Sequence, residues 1–423
     1  MASIRVIRPR GKRKLLTRAR RLTRTEFEAM ELSGRVETIR SLVGIGLLHV
    51  FEELDREVVA LAGERYARKD AETVYRRHGS NPGSVRLAGQ RIGITVPRVR
   101  GSQGEVPLSS YESFQHGGEL DETLFRRVLY GISCRDYEAA AEAVQGAIGL
   151  SSSTVSRRFV AASAGRLREL LARDLSGLDI VALFLDGKTF AEDELVLALG
   201  VTMDGRKVVL GFVQTATENA RALKAFLGEL RSRGLSVAHG MLVVIDGSKG
   251  LHAAVKEGFK GLAVVQRCQW HKRENVVSYL PKSEQASWRR RLQWVYQRPT
   301  YAEAKRELLK LERELEQINQ SAAASLHEGL EETLTLHRLG VYARLGLSFK
   351  TTNCLESVNA MAEQRCGKVK AWKNSSQKQR WFAAALMDIE PRLRRVRGYR
   401  ELPRLREALM RELEIKSEAE RVA

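Results

Sequence analysis

Two short apolar runs, each followed by Asp-Gly, constrain this sequence more than any other feature. They are residues 181–187 (VALFLDG) and 241–247 (MLVVIDG). Each run has the length of a buried strand, and Asp-Gly is a common turn pair. Two such strands in one sheet would instead bring Asp186 and Asp246 to one edge, where paired carboxylates need a cation or a proton to offset their repulsion.

The pattern around these runs predicts a mixed α/β sheet of five strands. VALFLDG, LVLALGVTMDG and KVVLGFVQTA are three consecutive strands, the last two joined at the Asp204-Gly205 turn. A helix ending at Gly234, the strand MLVVIDG, a short helix and the strand LAVVQRCQW follow. Residues 272–350 have an almost entirely helical pattern, with Leu308, Leu311, Leu315 and Ile318 along one helix face.

The N-terminal half is predicted to bind DNA. Residues 1–30 form a basic arm, and residues 31–120 combine a helix with a Gly-rich hairpin or linker that ends in PRVR, where Arg98 and Arg100 are candidate phosphate contacts. Residues 121–175 have the pattern of a helix-turn-helix: an Ala-rich helix, a break at Gly146 and Gly149, and a second helix. An ordinary helical hairpin is the alternative. The candidate DNA contacts on the second helix are Ser153, Thr154, Arg157 and Arg158.

Composition supports a nucleic-acid partner. Lys plus Arg number 71 against 51 acidic residues, a formal net charge of +20, which favours binding to a polyanion; a generally basic protein is the alternative. Four scattered cysteines without a CxxC pair are typical of a reducing compartment. Without a secretory signal or an uncharged run of ~18 residues, the sequence predicts a cytoplasmic, nucleoid-associated protein with no membrane segment.

A third carboxylate would complete a metal site. Glu356 opens a predicted helix on which Asn353, Glu356, Asn359 and Glu363 share one face. Carboxylate oxygens suit Mg²⁺ or Mn²⁺. Two such ions ~3.5–4 Å apart activate a water or a 3′-hydroxyl for attack on a phosphodiester. We therefore expect Asp186, Asp246 and Glu356 to be the catalytic residues and metal ligands of one active site.

At these residues the chain resembles the bacterial Mutator-type transposases of insertion sequences. The resemblance covers most of the chain and rests on motifs that occur in the family's order: VPRVR, STVSR, LFLDG, VVIDGSKGL, QRCQWHKREN and TTNCLESVN. It implies an RNase H-like core with a DDE triad at Asp186, Asp246 and Glu356. It also implies an all-helical insertion at residues 272–350 between the core segments 176–271 and 351–392, with a basic helical tail at 393–423.

The resemblance also identifies residues around the triad. Cys268 and His271, flanking Trp270, correspond to the family's CxxH element; a zinc half-site, a buried Cys with a capping His, and a role in positioning DNA all remain open. Lys249, Lys272 and Arg273 are candidate phosphate contacts, and Asn353 belongs to the TTN motif. Trp288 and Trp294 could stack on a base or pack in a core. MAEQRCGKVKAW departs from the Arg-rich run usual in the family.

The resemblance implies a DDE transposase that binds the terminal inverted repeats of its element and catalyses metal-dependent strand cleavage and strand transfer. Double-stranded DNA, both transposon ends and target, is the expected partner. Synapsis of two ends implies a homo-oligomer, a dimer at least. The alternatives are a catalytically inactive, sequence-specific DNA-binding protein and a structure-specific nuclease of the same fold.

Overall fold

The structure is a computed structural model that describes residues 47, 49–66, 74–87, 90–115, 122–134, 152–190, 192–215 and 220–415. The predicted basic arm and the predicted first helix of the helix-turn-helix, with its turn, lie outside these residues. The chain divides into two compact units, residues 1–162 and residues 163–423. Each unit is described by itself.

The first unit contains a helix and a three-stranded antiparallel sheet. Helix α1 covers residues 49–62. The strands are β1 (Arg76–Leu87), β2 (Gln90–Gly101) and β3 (Gly104–Val106), in the order β1-β2-β3. Alternate residues of β2, namely Ile92, Ile94 and Val96, pack with α1 in one apolar cluster. The Gly-rich segment is therefore a hairpin and not a linker.

Among the described residues, three further helices follow the hairpin. They are α2 (Ser109–Gln115), α3 (Glu122–Leu129) and α4 (Ser152–Ala172). Phe125 of α3 and Phe159 of α4 stack with their ring centroids 5.3 Å apart, an offset arrangement that aromatic pairs favour. The predicted second helix of the helix-turn-helix thus corresponds to the start of α4.

The second unit is built on a five-stranded mixed sheet, as the sequence pattern predicts. The strand order is β6-β5-β4-β7-β8; β4, β5 and β6 are antiparallel, and β4, β7 and β8 are parallel. The strand bounds are β4 (Ile180–Phe190), β5 (Asp193–Thr202), β6 (Lys207–Thr215), β7 (Met241–Ile245) and β8 (Ala263–Arg267).

Both faces of this sheet are covered by helices. On one face, α5 (Ala220–Ser232) and α6 (Lys249–Gly258) pack against alternate strand residues such as Leu183 and Leu185. The opposite face, which includes Ala182 and Phe184, is covered by the helices of the C-terminal part. Because the central strands are buried on both sides, they are continuous apolar runs with little polar alternation.

A helical segment, residues 269–350, separates β8 from the C-terminal helices. Its residues between Val276 and Leu334 form an apolar cluster of their own. Its ends meet, since Gln269 N donates a 2.9 Å hydrogen bond to Lys350 O. The helices are α7 (Gln269–Ser278), α8 (Lys282–Tyr296), α9 (Tyr301–Ile318), α10 (Gln320–His327), α11 (Leu330–Thr333), α12 (Thr335–Arg338) and α13 (Tyr342–Phe349).

In the described residues after this segment, the α-helices are α14 (Asn353–Cys366), α15 (Ser375–Ile389) and α16 (Leu402–Glu412). Leu355, Val358 and Ala362 of α14 are buried in the cluster on the Phe184 face of the sheet. Within the described part of the chain, none of the helices has the length and apolar character needed to cross a bilayer.

Candidate functional site

Asp186 and Asp246 follow directly on a pair of hydrogen-bonded strand residues. Leu185 of β4 pairs with Ile245 of β7 in parallel register, and neighbouring strands lie about 4.8 Å apart. The two aspartates therefore begin side by side on adjacent backbones, which is the arrangement that the two apolar runs of the sequence predicted.

Both carboxylates belong to the same face of the sheet. Side chains alternate between faces along a strand, so Asp186 shares the face of Ala182 and Phe184. By the same alternation, Asp246 shares the face of Leu242 and Val244 of β7. All four apolar residues belong to the cluster that contains helix α14. The aspartates thus face the layer that carries Glu356.

The backbone conformation differs at the two aspartates, and the expectation that the first strand ends at Asp186 is wrong. Strand β4 does not end at Asp186: residues 186–190 continue the ladder, with Asp186 opposite Leu197 of β5. The plain-turn interpretation is therefore excluded for Asp186, which is only 7% exposed. At Asp246 the strand has ended, and Asp246 Oδ1 accepts a 2.9 Å hydrogen bond from Ser248 N.

Helix α14, which carries Glu356 in its first turn, is anchored near both ends. Near its C-terminal end, Glu363 Oε1 lies 2.8 Å from the Nζ atom of Lys188, two residues beyond Asp186 on the same face. At its N-terminal end, Thr352 is fully buried and its hydroxyl lies 3.7 Å from Cys268 Sγ and 3.4 Å from His271 Nδ1. Glu356 lies between these anchors.

His271 interacts with each of the three acids. Its Nε2 atom is 4.0 Å from Glu356 Oε1. Burial by itself would lower the pKa of His271, but its interactions with the Cys268 side chain and with the charges of Asp186 and Asp246 outweigh burial and raise the pKa to about 9. A cation bound by the aspartates would reverse their effect on the imidazole. His271 therefore lies beside Glu356 and within the electrostatic influence of Asp186 and Asp246.

The donors suit a hard divalent cation. Asn359, one helical turn after Glu356, is buried, and its side-chain oxygen has no hydrogen-bond partner; an unpaired buried amide oxygen is costly unless a donor or a cation meets it. Among the described residues, however, no three His, Cys, Asp or Glu side chains converge with metal-binding geometry.

Of the three candidate phosphate contacts near the site, only Lys249 is freely exposed. Its side chain is 90% exposed at the N-terminus of α6, 3.9 Å from Glu328. Lys272 is buried: its Nζ atom donates hydrogen bonds to the carbonyl oxygens of Ser325 and Glu328, and burial lowers its pKa to about 8. A phosphate contact would require these bonds to break. Arg273 donates to Glu274 and Gln293.

A residue that the sequence interpretation missed, Arg267, joins the Asp246 loop to the helical segment. Its guanidinium group is buried and donates to Gly247 O (3.0 Å) and Glu328 O (2.9 Å). Its Nε atom is 3.5 Å from Glu332, which also contacts His252 at 2.7 Å. A charged residue at the end of a largely apolar strand was the available signal, because a buried charge requires partners.

The tryptophans near the site differ in exposure. Trp270 is 42% exposed, and its ring lies edge-on to His271, with the ring centroids 4.8 Å apart. Trp288 is buried in the cluster of the helical segment, as core packing predicts. Trp294 is half exposed and is covered by the guanidinium group of Arg298 at 3.2 Å. Asn353 is exposed at the start of α14.

In the first unit, the candidate DNA contacts lie on β2 and on α4. Arg98 makes two 2.6 Å hydrogen bonds to Glu105, and the interaction with Glu105 raises the pKa of Arg98. Its guanidinium group is therefore engaged within the sheet, while Arg100 is exposed. On the first turns of α4, Ser153 and Arg157 are exposed, whereas Thr154 and Arg158 are half-buried.

Comparisons with known proteins agree with one another. A family model described as "Transposase, Mutator family" matches residues 17–395. The transposase for insertion sequence element ISRM5 of Rhizobium meliloti is 26% identical over 89% of this chain and 94% of its own length. The transposase for IS6120 of Mycolicibacterium smegmatis is 30% identical over 58% of this chain and 76% of its own. The transposase for IS256 in transposon Tn4001 of Staphylococcus aureus is 26% identical over 70% and 76%.

Proposed function

This chain belongs to the Mutator family of transposases, and on that premise we propose that it is a DDE transposase with an RNase H-like core. It binds the terminal inverted repeats of its own insertion sequence as double-stranded DNA. It then cleaves a strand with water to expose a 3′-hydroxyl, and that hydroxyl attacks target DNA. Synapsis of the two ends requires a homo-oligomer, at least a dimer.

The observation that carries this proposal is the position of the three acids. Asp186 and Asp246 follow paired residues of adjacent parallel strands, and Glu356 is on the helix that packs against the same sheet face. Carboxylates held close together repel unless a cation or proton neutralises them, so the position of these acids favours a metal site.

We assign the metal ligands to Asp186, Asp246 and Glu356, with Mg²⁺ or Mn²⁺ as the ion and two ions per site. Bound there, such ions polarise a phosphate oxygen and lower the pKa of water. The backbone of Asp186 is paired with β5 in the sheet, which fixes the position of the carboxylate. His271 lies beside Glu356 and orients that carboxylate. The unpaired oxygen of Asn359 is a further donor on the same helix.

In the DNA-recognition part of the proposal, the first unit reads the element's ends. The start of α4 presents Ser153 and Arg157, and β2 presents Arg100, for contacts with base edges or phosphates. Lys249, Arg273 and Trp270 belong to the same unit as the acids and contact the strand that is cut. Arg98 and Lys272 already have partners within the protein, so they support neighbouring residues.

The test is strand cleavage of a duplex that carries the element's own end, with Mg²⁺ and with EDTA. Wild type is compared with Asp186→Asn, Glu356→Gln and the control Glu316→Gln, which changes an exposed residue of α9. We expect wild type and the control to nick the DNA at the element's tip only with Mg²⁺. Asp186→Asn and Glu356→Gln should lose at least ~100-fold of the rate while binding the duplex normally.

Equal cleavage by all four proteins would show that the assigned acids are not the catalytic residues. Specific binding of the duplex without cleavage by any of them would favour the catalytically inactive DNA-binding protein. Cleavage of branched or unpaired DNA in preference to the element's end would favour the structure-specific nuclease.

A further inference from the structure

A short arginine-rich segment between α15 and α16, residues 392–400 (RLRRVRGYR), is not explained by the cleavage site. It contains five arginines and no acidic residue. Val396 is buried and Leu393 is partly buried in the sheet cluster. Arg392, Arg394, Arg395, Arg397 and Arg400 are exposed. The apolar residues fix the segment while the arginines face solvent.

The backbone of this arginine loop is held by hydrogen bonds to two other parts of the second unit. Val396 N donates to Gly205 O in the β5–β6 turn (3.0 Å), and Ser348 Oγ donates to Arg397 O (3.0 Å). Gly398 has φ +76°, and a Cβ atom there would lie 2.5 Å from Arg344 O. The loop is therefore built to approach α13 closely, and its guanidinium groups are presented from a fixed backbone.

Several of these charges have no acidic partner. Arg392 lies 3.3 Å from the mostly buried Asp388, and Arg395 lies 3.6 Å from Asp204 in an exposed pair, which contributes little to stability. Among the described residues, Arg394 and Arg397 form no ion pair with a carboxylate, and neither does the neighbouring Arg344. An uncompensated cluster of guanidinium groups on one surface attracts a polyanion.

The arginine loop lies near the end of β4 that is opposite to Asp186. It contacts Gly205, and Thr202 at the start of that turn pairs with Ile180, the first residue of β4. Asp186 is six residues further along the same strand, which corresponds to about 20 Å at about 3.3 Å per residue. The loop is thus at the opposite end of the sheet from the candidate active site.

We propose that the arginine loop binds the phosphate backbone of duplex DNA about 20 Å from the cleavage site, a distance of roughly six base pairs at about 3.4 Å per pair. This inference rests on the proposed function and adds a second contact surface to it. Arginine is suited to the task because its planar guanidinium group matches phosphate oxygens in a bidentate way. Such contacts position DNA without reading its sequence.

An acidic protein partner fits this surface less well. Protein interfaces have an apolar core with aromatic anchors inside a polar rim. In the arginine loop the aliphatic side chains point inward, and Tyr399 packs against Gly205, where a Cβ atom would lie 2.4 Å from Tyr399 Cβ. The exposed side chains of the loop are therefore its arginines, which suit a phosphate backbone.

The test compares DNA binding by the full chain as a function of salt concentration. The double variant Arg394→Gln/Arg397→Gln is matched by the control Lys256→Gln/Arg313→Gln, which removes the same charge from two other exposed residues without ion pairs. Probes are the element's end, an unrelated duplex of equal length, and polyglutamate. We expect the loop variant to reduce the slope of log K against log salt by about 2 for both duplexes, and the control to change it much less.

Other outcomes separate this inference from the proposed function. A slope equal to that of the control would overturn the DNA-binding role of the loop, while cleavage by wild type would remain intact. Failure of wild type to bind either duplex would overturn both. A loss of polyglutamate binding with unchanged DNA binding would overturn the inference in favour of an acidic protein partner.

Discussion

Arg267 shows how one buried charge can organise a site from outside it. The guanidinium group bridges the carbonyl oxygens of Gly247, next to Asp246, and of Glu328, in the helical segment. Gly329 makes room for this contact, since a Cβ atom there would lie 2.6 Å from Arg267. The position of the Asp246 loop therefore depends on a residue that touches neither carboxylate of the aspartate pair.

We expect Arg267→Met to lower the free energy of unfolding by roughly 3 kcal/mol, because two carbonyl oxygens lose their buried donor and Glu332 keeps only its contact with His252. Urea denaturation of the purified protein measures this change. Arg231→Met is the matched control: Arg231 is exposed and donates one hydrogen bond to Gly258 O, so its loss should cost no more than about 1 kcal/mol. Equal effects of the two substitutions would contradict the bridging role of Arg267.

Individual residues also show where prediction from the sequence stops. The strand pattern placed Asp186 and Asp246 side by side because parallel neighbours share an edge. It could not show that Lys272 is buried, since Lys272 lies beside Arg273 in a basic stretch and only the fold brings the carbonyl groups of Ser325 and Glu328 to its ammonium group. The triad itself stays a prediction until cleavage is measured.

At the scale of elements, apolar periodicity was a reliable guide. The five strands and their mixed arrangement were predicted, because each strand is a continuous apolar run between turn residues. The C-terminal limit of β4 was not, because Asp186-Gly187 has the composition of a turn and yet continues the ladder opposite Leu197 and Val196. Cross-strand pairing with β5 overrides the local preference there.

The buried His337 of helix α12 should make the stability of the folded protein depend on pH. His337 is buried and stacks on Tyr342 with ring centroids 3.6 Å apart. Burial lowers its pKa to about 4, despite interactions with backbone groups of Tyr296 and Arg298. The unfolded chain, in which His has a pKa of about 6.5, therefore binds more protons than the folded protein between these values. Stability should rise with pH through this window.

We expect the contribution of neutral His337 to the free energy of unfolding to be complete above pH 6.5. It should be lost as the pH falls towards 4, and the loss should be at most roughly 3 kcal/mol. The measurement is the unfolding free energy at several pH values for wild type, His337→Phe and the control His239→Gln, which changes an exposed histidine. His337→Phe should flatten the dependence and the control should not. An unchanged slope in His337→Phe would show that another group controls it.

At the scale of the molecule, the second unit is a sheet enclosed by two helical layers. Strand β4 lies in the middle, paired with β5 on one side and β7 on the other, and both of its faces are packed. Amides in such a position exchange with solvent only when the whole unit opens. Asp186 is thus attached to the least mobile part of the unit.

Hydrogen exchange should therefore be slowest for the amides of residues 183–185 in β4. It should be fast at residues 102–103, in the turn between β2 and β3. Mass spectrometry of peptides from the full chain measures both, and the turn serves as the internal reference. Exchange in β4 that approaches the rate of this turn would show that the sheet opens locally.

The hydrogen bond between Gln269 N and Lys350 O holds the two ends of the helical segment together. The chain leaves the sheet after β8 and returns to it at almost the same point. The intervening helices therefore do not separate the two parts of the chain that they connect. Most of the helical segment has its own apolar core. A change in the length of this segment should therefore leave the sheet intact, provided that its two ends still meet and a carbonyl group still lies within reach of Arg267.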